Sequence, residues 1–442
     1  MRKAAFHTLG CKVNSYETEA MQQLLEAAGY QIVPFAEGAD VYIINTCSVT
    51  NVADRKSRQM LHRAKKMNPR AAVVAVGCYV QAKGAELKAD EAIDVIIGNN
   101  CKMDLVTCLE EYFKEQAKDY LIEISETHEY EELSIDKIAG HTRAFIKVQD
   151  GCNQFCSYCI IPYTRGRVRS RRPEAIVKEV RALAANGYRE IVLTGIHLSS
   201  YGVDFDGEMK MDLLQLIQQL HEIEGLVRIR LGSLEPRIVT ADFVQALAAL
   251  PKICPHFHLS LQSGCDATLK RMNRRYNTAE FAKGCELLRQ AFEKPAITTD
   301  VIVGFPGETE AEFEETKQFL EAIRFYEMHI FKYSVRAGTK AAAMPDQVPE
   351  SIKSARSDCL LALDRRMSLA YRKEYLGMER DILIEEMVTI EGTDYQIGHT
   401  REYIKAVSEG SESRKNQIIT GTLDRLLTDE MVLLTENCNK LF

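Results

Sequence analysis

The sequence predicts an α/β protein in three parts: an N-terminal open parallel α/β domain, a central partial (βα)6 barrel and a C-terminal small β-barrel. Three observations carry that prediction. Strand and helix patterns alternate through residues 1–110 and again through 144–370, the order that builds parallel sheets. The second cycle offers six strand–helix units, too few for the closed eight-stranded form. Beyond residue 371 the helical period gives way to short apolar runs broken by Gly392, Gly398 and Gly410, the pattern of a compact β-module.

Length and composition narrow the function classes. A chain of 442 residues exceeds one core, and the pattern changes divide it into 1–110, a connection 111–143, 144–370 and 371–442. The longest apolar run, near 71–80, is too short to cross a bilayer, so no membrane partner is expected. A net charge of −7 argues against molecule-wide nucleic-acid binding and confines any RNA surface to local patches. Thirteen cysteines, an odd number with no secretory leader ahead of them, favour reduced thiols and a cytoplasmic location, and a monomer is expected.

In the first part, strands are expected at 4–9, 40–45, 71–77 and 93–98, with helices at 16–28 and 52–67. Ser15 before acidic Glu17 and Glu19, and Asn51 three before Asp54, offer the helices their N-terminal caps. Cys11, Cys47 and Cys78 each fall just past the carboxyl end of one of the first three strands. In a parallel sheet those ends share one edge, where ligands bind, so the thiols should converge. Three thiolates leave one iron of a [4Fe–4S] cube open, free to carry an exogenous sulfur. The bland alternative is three buried cysteines, which are common one at a time. Residues 111–143 are acidic and weakly patterned and read as a solvated connection.

The central part opens on an apolar run, 144–151, followed by Cys152-Asn-Gln-Phe-Cys156-Ser-Tyr-Cys159. Three thiolates on one loop again hold three corners of a cube, whereas zinc would need a fourth protein ligand. Further strands are expected at 190–194, 227–231, 256–261, 297–303 and 328–333, with helices between them and a long one at 351–375. The polar motifs after these strands should line the mouth of the barrel: Thr194-Gly-Ile-His197, Ser233-Leu-Glu-Pro236, Ser260-Leu-Gln-Ser-Gly264 and the run 300–308. Arg165, Arg167, Arg169, Arg171 and Arg172 crowd the segment after the cysteine loop, and Arg271, Arg274 and Arg275 crowd another. Such runs are usually solvated or salt-bridged, but beside a reactive site they would suit phosphates. Cys101, Cys108, Cys254, Cys265, Cys285, Cys359 and Cys438 show no ligand-like grouping and read as structural.

Together the N-terminal trio, the central loop and the small C-terminal module resemble the methylthiotransferase family of radical S-adenosylmethionine (SAM) enzymes. The stretch Thr8-Leu-Gly-Cys-Lys-Val-Asn-Ser15, where other branches carry Gly-Cys-Gln-Met-Asn, is most similar to the bacterial branch acting on N6-threonylcarbamoyladenosine in tRNA. The resemblance implies two [4Fe–4S] clusters, one on Cys152, Cys156 and Cys159 and one on Cys11, Cys47 and Cys78. It implies SAM contacts from Tyr158, Thr194, Gly195, Glu235, Ser260, Gln262, Val303 and Gly304, and no catalytic residue beyond the cluster ligands. The C-terminal module is similar to the TRAM domain, an OB-like RNA-binding fold. Arg165, Arg167, Arg169, Arg401 and Lys405, with Tyr403, would meet the anticodon loop. The implied reaction replaces an aromatic C–H at C2 of the base by a methylthio group, using one SAM for a 5′-deoxyadenosyl radical and a second as methyl donor. Flavodoxin or ferredoxin would supply electrons. Rivals are an isopentenyladenosine tRNA enzyme, a ribosomal-protein aspartate enzyme of the same family, an iron–sulfur RNA-binding protein without SAM turnover, and a zinc protein.

Overall fold

A computed structural model describes residues 1–115, 120–136, 142–207 and 210–436; Cys438, expected to be structural, lies outside them. The first part runs β1 Lys3–Thr8, α1 Lys12–Ala27, β2 Gln31–Val33, β3 Val41–Thr46, α2 Asn51–Met67, β4 Ala72–Gly77, α3 Cys78–Leu87, β5 Val95–Ile97 and α4 Leu105–Phe113. Its five strands form a parallel sheet in the order β2-β1-β3-β4-β5. β3 and β4 are buried on both faces, as their unbroken apolar runs require.

Several local expectations need correction. Ser15 lies inside α1, which begins earlier because Gly10, at φ +101°, turns the chain straight from the strand into the helix behind Cys11. Thr50, not Asn51, caps α2, its Oγ1 accepting from Ala53 N at 3.1 Å. The edge strand β2 and the helix α3 have no counterpart among the expected elements. β2 has only three residues, and α3 holds just Tyr79, Val80 and Leu87 as large buried apolar residues, too weak a period to register. The connection is also less solvated than its acidity suggests, since Ile124, Leu133 and Ile135 are buried.

The central part contains β6 Arg143–Asp150, α5 Ile161–Thr164, β7 Arg169–Ser170, α6 Pro173–Ala185, β8 Glu190–Gly195, α7 Leu213–His221, β9 Arg228–Leu231, α8 Ala241–Ala248, β10 His256–Gln262, α9 Asp266–Arg271, α10 Thr278–Ala291, β11 Ala296–Val303, α11 Glu310–Ile323, β12 Glu327–Lys332 and α12 Glu350–Lys373. β6, β8 and β9 pair in parallel, as do β10, β11 and β12. Among the described residues, the isolated bridges Ile229–Ile253 and Leu234–Leu259 are the strand pairings that link the two halves. The result is an incomplete six-stranded barrel around Ile146, Leu193, Ile229, Leu259, Val301 and Met328.

The tail forms β13 Glu379–Ile390, β14 Thr393–His399, β15 Lys405–Glu409, β16 Ile418–Leu426 and β17 Val432–Glu436, closed as β13-β14-β15-β17-β16. This barrel is bolted to the central one. Arg228 donates to Asp381 Oδ2 at 2.8 Å and Arg230 to Arg401 O at 2.9 Å. Tyr403 stacks on His256 at 4.7 Å and on His399 at 4.5 Å between centroids, with the Arg143 and Arg230 guanidiniums over its ring.

Candidate active site

The registers of the first sheet set the N-terminal trio. Thr8 pairs with Asn45, and Thr46 with Gly77, so Cys47 and Cys78 leave adjacent strands side by side while Cys11 follows one turn away. A Cβ on Gly10 would come within 2.9 Å of Cys47 Cβ, which shows how closely the first loop rests on the second. Each of the three thiols lies within electrostatic reach of the others. Burial pushes the Cys47 thiol up to about 11 and raises that of Cys11 as well, although Cys11 still presents surface to solvent. Such thiols stay protonated until a metal supplies positive charge, as the iron of a cube would.

The second trio sits on the loop after β6. Gly151, at φ +69°, makes the turn, and a Cβ there would lie 1.7 Å from Arg167 O. Cys156 to Cys159 is closed by the Cys159 N–Cys156 O bond of 3.0 Å, and Gln154 N donates to Cys152 Sγ at 3.4 Å. Burial pushes Cys152 up to about 11 and Cys159 up to about 12. Among the described residues only His258, Asp300 and His329 bring three donor atoms within 4.8 Å of one another. Neither cysteine trio contracts to the sulfur spacing of a single tetrahedral zinc, about 3.8 Å. Three thiols with one corner left open are the donor set that a cube would take.

A buried ionic network joins the two trios. Glu17, on the helix that Cys11 opens, accepts from Lys147 at 2.7 Å and Arg165 at 2.8 Å, with Lys102 at 3.4 Å. Asp150, two residues before Cys152, accepts from Lys147 at 2.6 Å and Arg165 at 3.1 Å. Arg165 also donates to Asn14 Oδ1 at 2.7 Å, and Asn99 bridges Thr164 O at 2.7 Å and Cys78 Sγ at 3.5 Å. The cations hold the Glu17 and Asp150 carboxyls well below the usual range despite their burial.

This network overturns part of the expected RNA surface. Arg165 and Arg169 are fully buried, Arg169 donating to Arg165 O and Arg167 O, so neither can meet a phosphate. Arg401 is committed to the carbonyls of Pro251 and Ile253, and Tyr403 to its stack, so both dock the tail. Arg167 is exposed beside Phe155, and Lys405 lines a cleft of about 880 Å³ between β12, α12 and the tail barrel.

The expected SAM contacts gather at the carboxyl ends of the barrel strands. Tyr158 packs edge-on against Phe305 at 6.3 Å. Thr194 and Gly195 end β8, the latter pressed on Gln149. Glu235 accepts from Arg237 at 2.6 Å, Ser260 meets Ser233 Oγ at 2.7 Å, and Gln262 closes a bulge at φ +74°. Val303 is buried, and Gly304 gives its N–H to Glu308 at 2.6 Å, which leaves only its carbonyl for a ligand.

Two further residues belong here. Arg274, which in the sequence is one member of a basic run, donates to Cys156 Sγ at 3.2 Å and to Ser260 O at 3.1 Å. His197 has a buried Nε2 without a partner, and burial lowers the ring to about 4, so it is neutral. Its place in the Thr194-Gly-Ile-His197 motif is the sequence signal that points to it.

Comparison with known proteins decides the family. Residues 146–320 match the radical SAM superfamily and residues 3–98 match the uncharacterised protein family UPF0004. Threonylcarbamoyladenosine tRNA methylthiotransferase MtaB of Bacillus subtilis is 42% identical, covering 95% of this chain and 93% of the relative. The chain belongs to the methylthiotransferase family of radical SAM enzymes. The MtaB of Aquifex aeolicus is 40% identical over 92% of this chain and 98% of its own. A tRNA-2-methylthio-N(6)-dimethylallyladenosine synthase of Pelotomaculum thermopropionicum is 34% identical over 96% and 95%. Among solved structures, the radical SAM methyltransferase TsrM from Kitasatospora setae aligns with a TM-score of 0.56 at 14% identity, covering 75% of this chain and 73% of that one, a likeness of fold. As a radical SAM methylthiotransferase the chain uses SAM and [4Fe–4S] clusters, and no helix among the described residues is long and apolar enough to cross a membrane.

Proposed function

We propose that this methylthiotransferase converts N6-threonylcarbamoyladenosine at position 37, next to the tRNA anticodon, to its 2-methylthio form with two SAM per turnover. The observation that carries the reading is the pair of cysteine trios locked to one another by the Glu17–Arg165–Asp150 network at the mouth of the barrel. Cys152, Cys156 and Cys159 would hold the SAM-binding cluster, and Cys11, Cys47 and Cys78 the sulfur-donating one. When bound, these groups supply one-electron chemistry able to break an aromatic C–H bond, and a sulfur to replace the hydrogen. Tyr158, Thr194, Gly195, Glu235, Ser260, Gln262, Val303 and the Gly304 carbonyl line the SAM side, which Arg274 and neutral His197 complete.

The protein's own work is placement. The network fixes one trio against the other, and the barrel wall excludes water from a base turned out of the anticodon loop. The tail barrel is read as a TRAM-like module, with Lys405 and, near the radical loop, Arg167 left to meet phosphate. Residues 1–110, 144–370 and 371–442 form the three functional parts, acting in the cytoplasm as a monomer with flavodoxin or ferredoxin as reductant. The test is anaerobic reconstitution with SAM and reductant on tRNA that carries threonylcarbamoyladenosine, followed by nucleoside mass analysis. The methylthio nucleoside should appear in this tRNA and not in isopentenyladenosine tRNA; the opposite pattern refutes the substrate.

A further inference from the structure

Lys12 directly follows Cys11 and leaves the first part of the chain for the barrel. Its ammonium lies within electrostatic range of Asp300, Arg143 and Arg230, and it acts in turn on His256 and His329. It presents surface to solvent, yet surrounding protein desolvates it. Among the described residues it makes no hydrogen bond or ion pair. The neighbouring cations differ in this respect, since Arg143 is paired with Glu385 at 3.0 Å and Arg230 with Glu190 at 3.0 Å. A desolvated cation without a counter-ion is costly, and it becomes favourable once an anion arrives.

Across from Lys12, three adjacent strands turn polar side chains to the same face. His258 on β10 contacts Asp300 Oδ2 on β11 at 3.2 Å, and Asp300 pairs in register with His329 on β12. The three donor atoms would suit a metal by spacing, but the Lys12 ammonium lies within electrostatic range of Asp300 and His329, which opposes a further cation. Phe331, two residues along β12 and hence on the same face as His329, is 47% exposed and offers an apolar ring. His329 also borders the 880 Å³ cleft that reaches Lys405, so this wall opens towards the tail barrel.

We infer that Lys12 is the specificity-determining residue of the substrate site, pairing with the carboxylate of the threonylcarbamoyl substituent while Asp300 and His329 face its hydroxyl and urea groups. The inference rests on the substrate reading above. A dimethylallyl substituent carries no charge and would leave the ammonium unpaired, so the same residue that binds one base disfavours the other.

The test measures Kd for a synthetic anticodon stem-loop bearing threonylcarbamoyladenosine and for its neutral carboxyl methyl ester, on the reconstituted protein. Wild type should prefer the acid by about 10- to 100-fold, the range of a charge-assisted pair. Lys12→Gln should lose that preference with iron content unchanged, and Lys12→Arg should keep part of it. Lys12→Gln binding the acid as tightly as wild type, or wild type binding acid and ester equally, overturns the inference. Absence of methylthio product from wild type on the acid stem-loop overturns the substrate reading instead, so the two failures are separable.

Discussion

Replacing Glu17 by Gln tests whether the two cysteine trios are held together by charge. Glu17 is fully buried and meets Lys147 at 2.7 Å, Arg165 at 2.8 Å and Lys102 at 3.4 Å. Glutamine keeps the shape and one acceptor but removes the anion. Asp150 then remains for Lys147 and Arg165, while Lys102 keeps the Asn99 Oδ1 acceptor at 2.8 Å and, as its one remaining carboxylate among the described residues, Glu131 at 3.9 Å. Stranding one charge in a buried network costs about 3–5 kcal/mol, and the residual acceptor favours about 3. At roughly 2–3 °C per kcal/mol, melting should fall by about 6–9 °C at a matched scan rate. Because both carboxyls are held well below the usual range, this deficit should stay constant across neutral and mildly acidic pH. Looser placement should also raise the 5′-deoxyadenosine released per methylthio nucleoside formed. Adding Lys102→Met, which removes the stranded cation, should recover much of the loss. A single variant melting within about 1 °C of wild type, with coupling intact, refutes the argument.

Other outcomes follow from the site. Anaerobic reconstitution should load about eight irons per chain, falling to about four when either cysteine trio is changed to Ala, by iron assay. Gly151→Ala should destroy the radical cluster alone, because the new Cβ would sit 1.7 Å from Arg167 O; absorption and iron counts would show it. Arg274→Met removes the donor on Cys156 Sγ and should lower the potential of that cluster in a spectroelectrochemical titration while SAM cleavage slows. Asp364, raised to about 6 by burial, accepts from Met328 N at 2.7 Å. Its folded state holds the proton more tightly, so stability should fall as pH rises from about 4 to about 6. Asp364→Asn keeps the acceptor and should gain about 1–2 kcal/mol at pH 7 after allowance for solvent, by urea unfolding.

Much of this architecture was legible because its signals are periodic or spaced. The apolar runs of β3 and β4 and the alternation of the barrel carry their own register, and a cysteine after each of three strand ends needs only the geometry of a parallel sheet to converge. What stayed hidden depends on partners distant in the chain. Arg165 and Arg169 look like a phosphate rim until Glu17 and Asp150, far apart in sequence, are brought against them. Arg401 and Tyr403 look exposed in an isolated β-module and are consumed where that module docks. Arg274 gave no sign in its basic run, because its sulfur partner lies 118 residues away.

The docked tail barrel has a consequence for how a nucleotide is chosen. With Arg228, Arg230 and the Tyr403 stack clamping it to the central strands, the barrel cannot swing on a hinge to follow its substrate. On the proposed reading it would act as a fixed ruler: RNA held at Lys405, which lines the cleft beside the barrel, would meet the lumen at one set distance. Selection of a single adenosine within a flexible loop would then come from measured length.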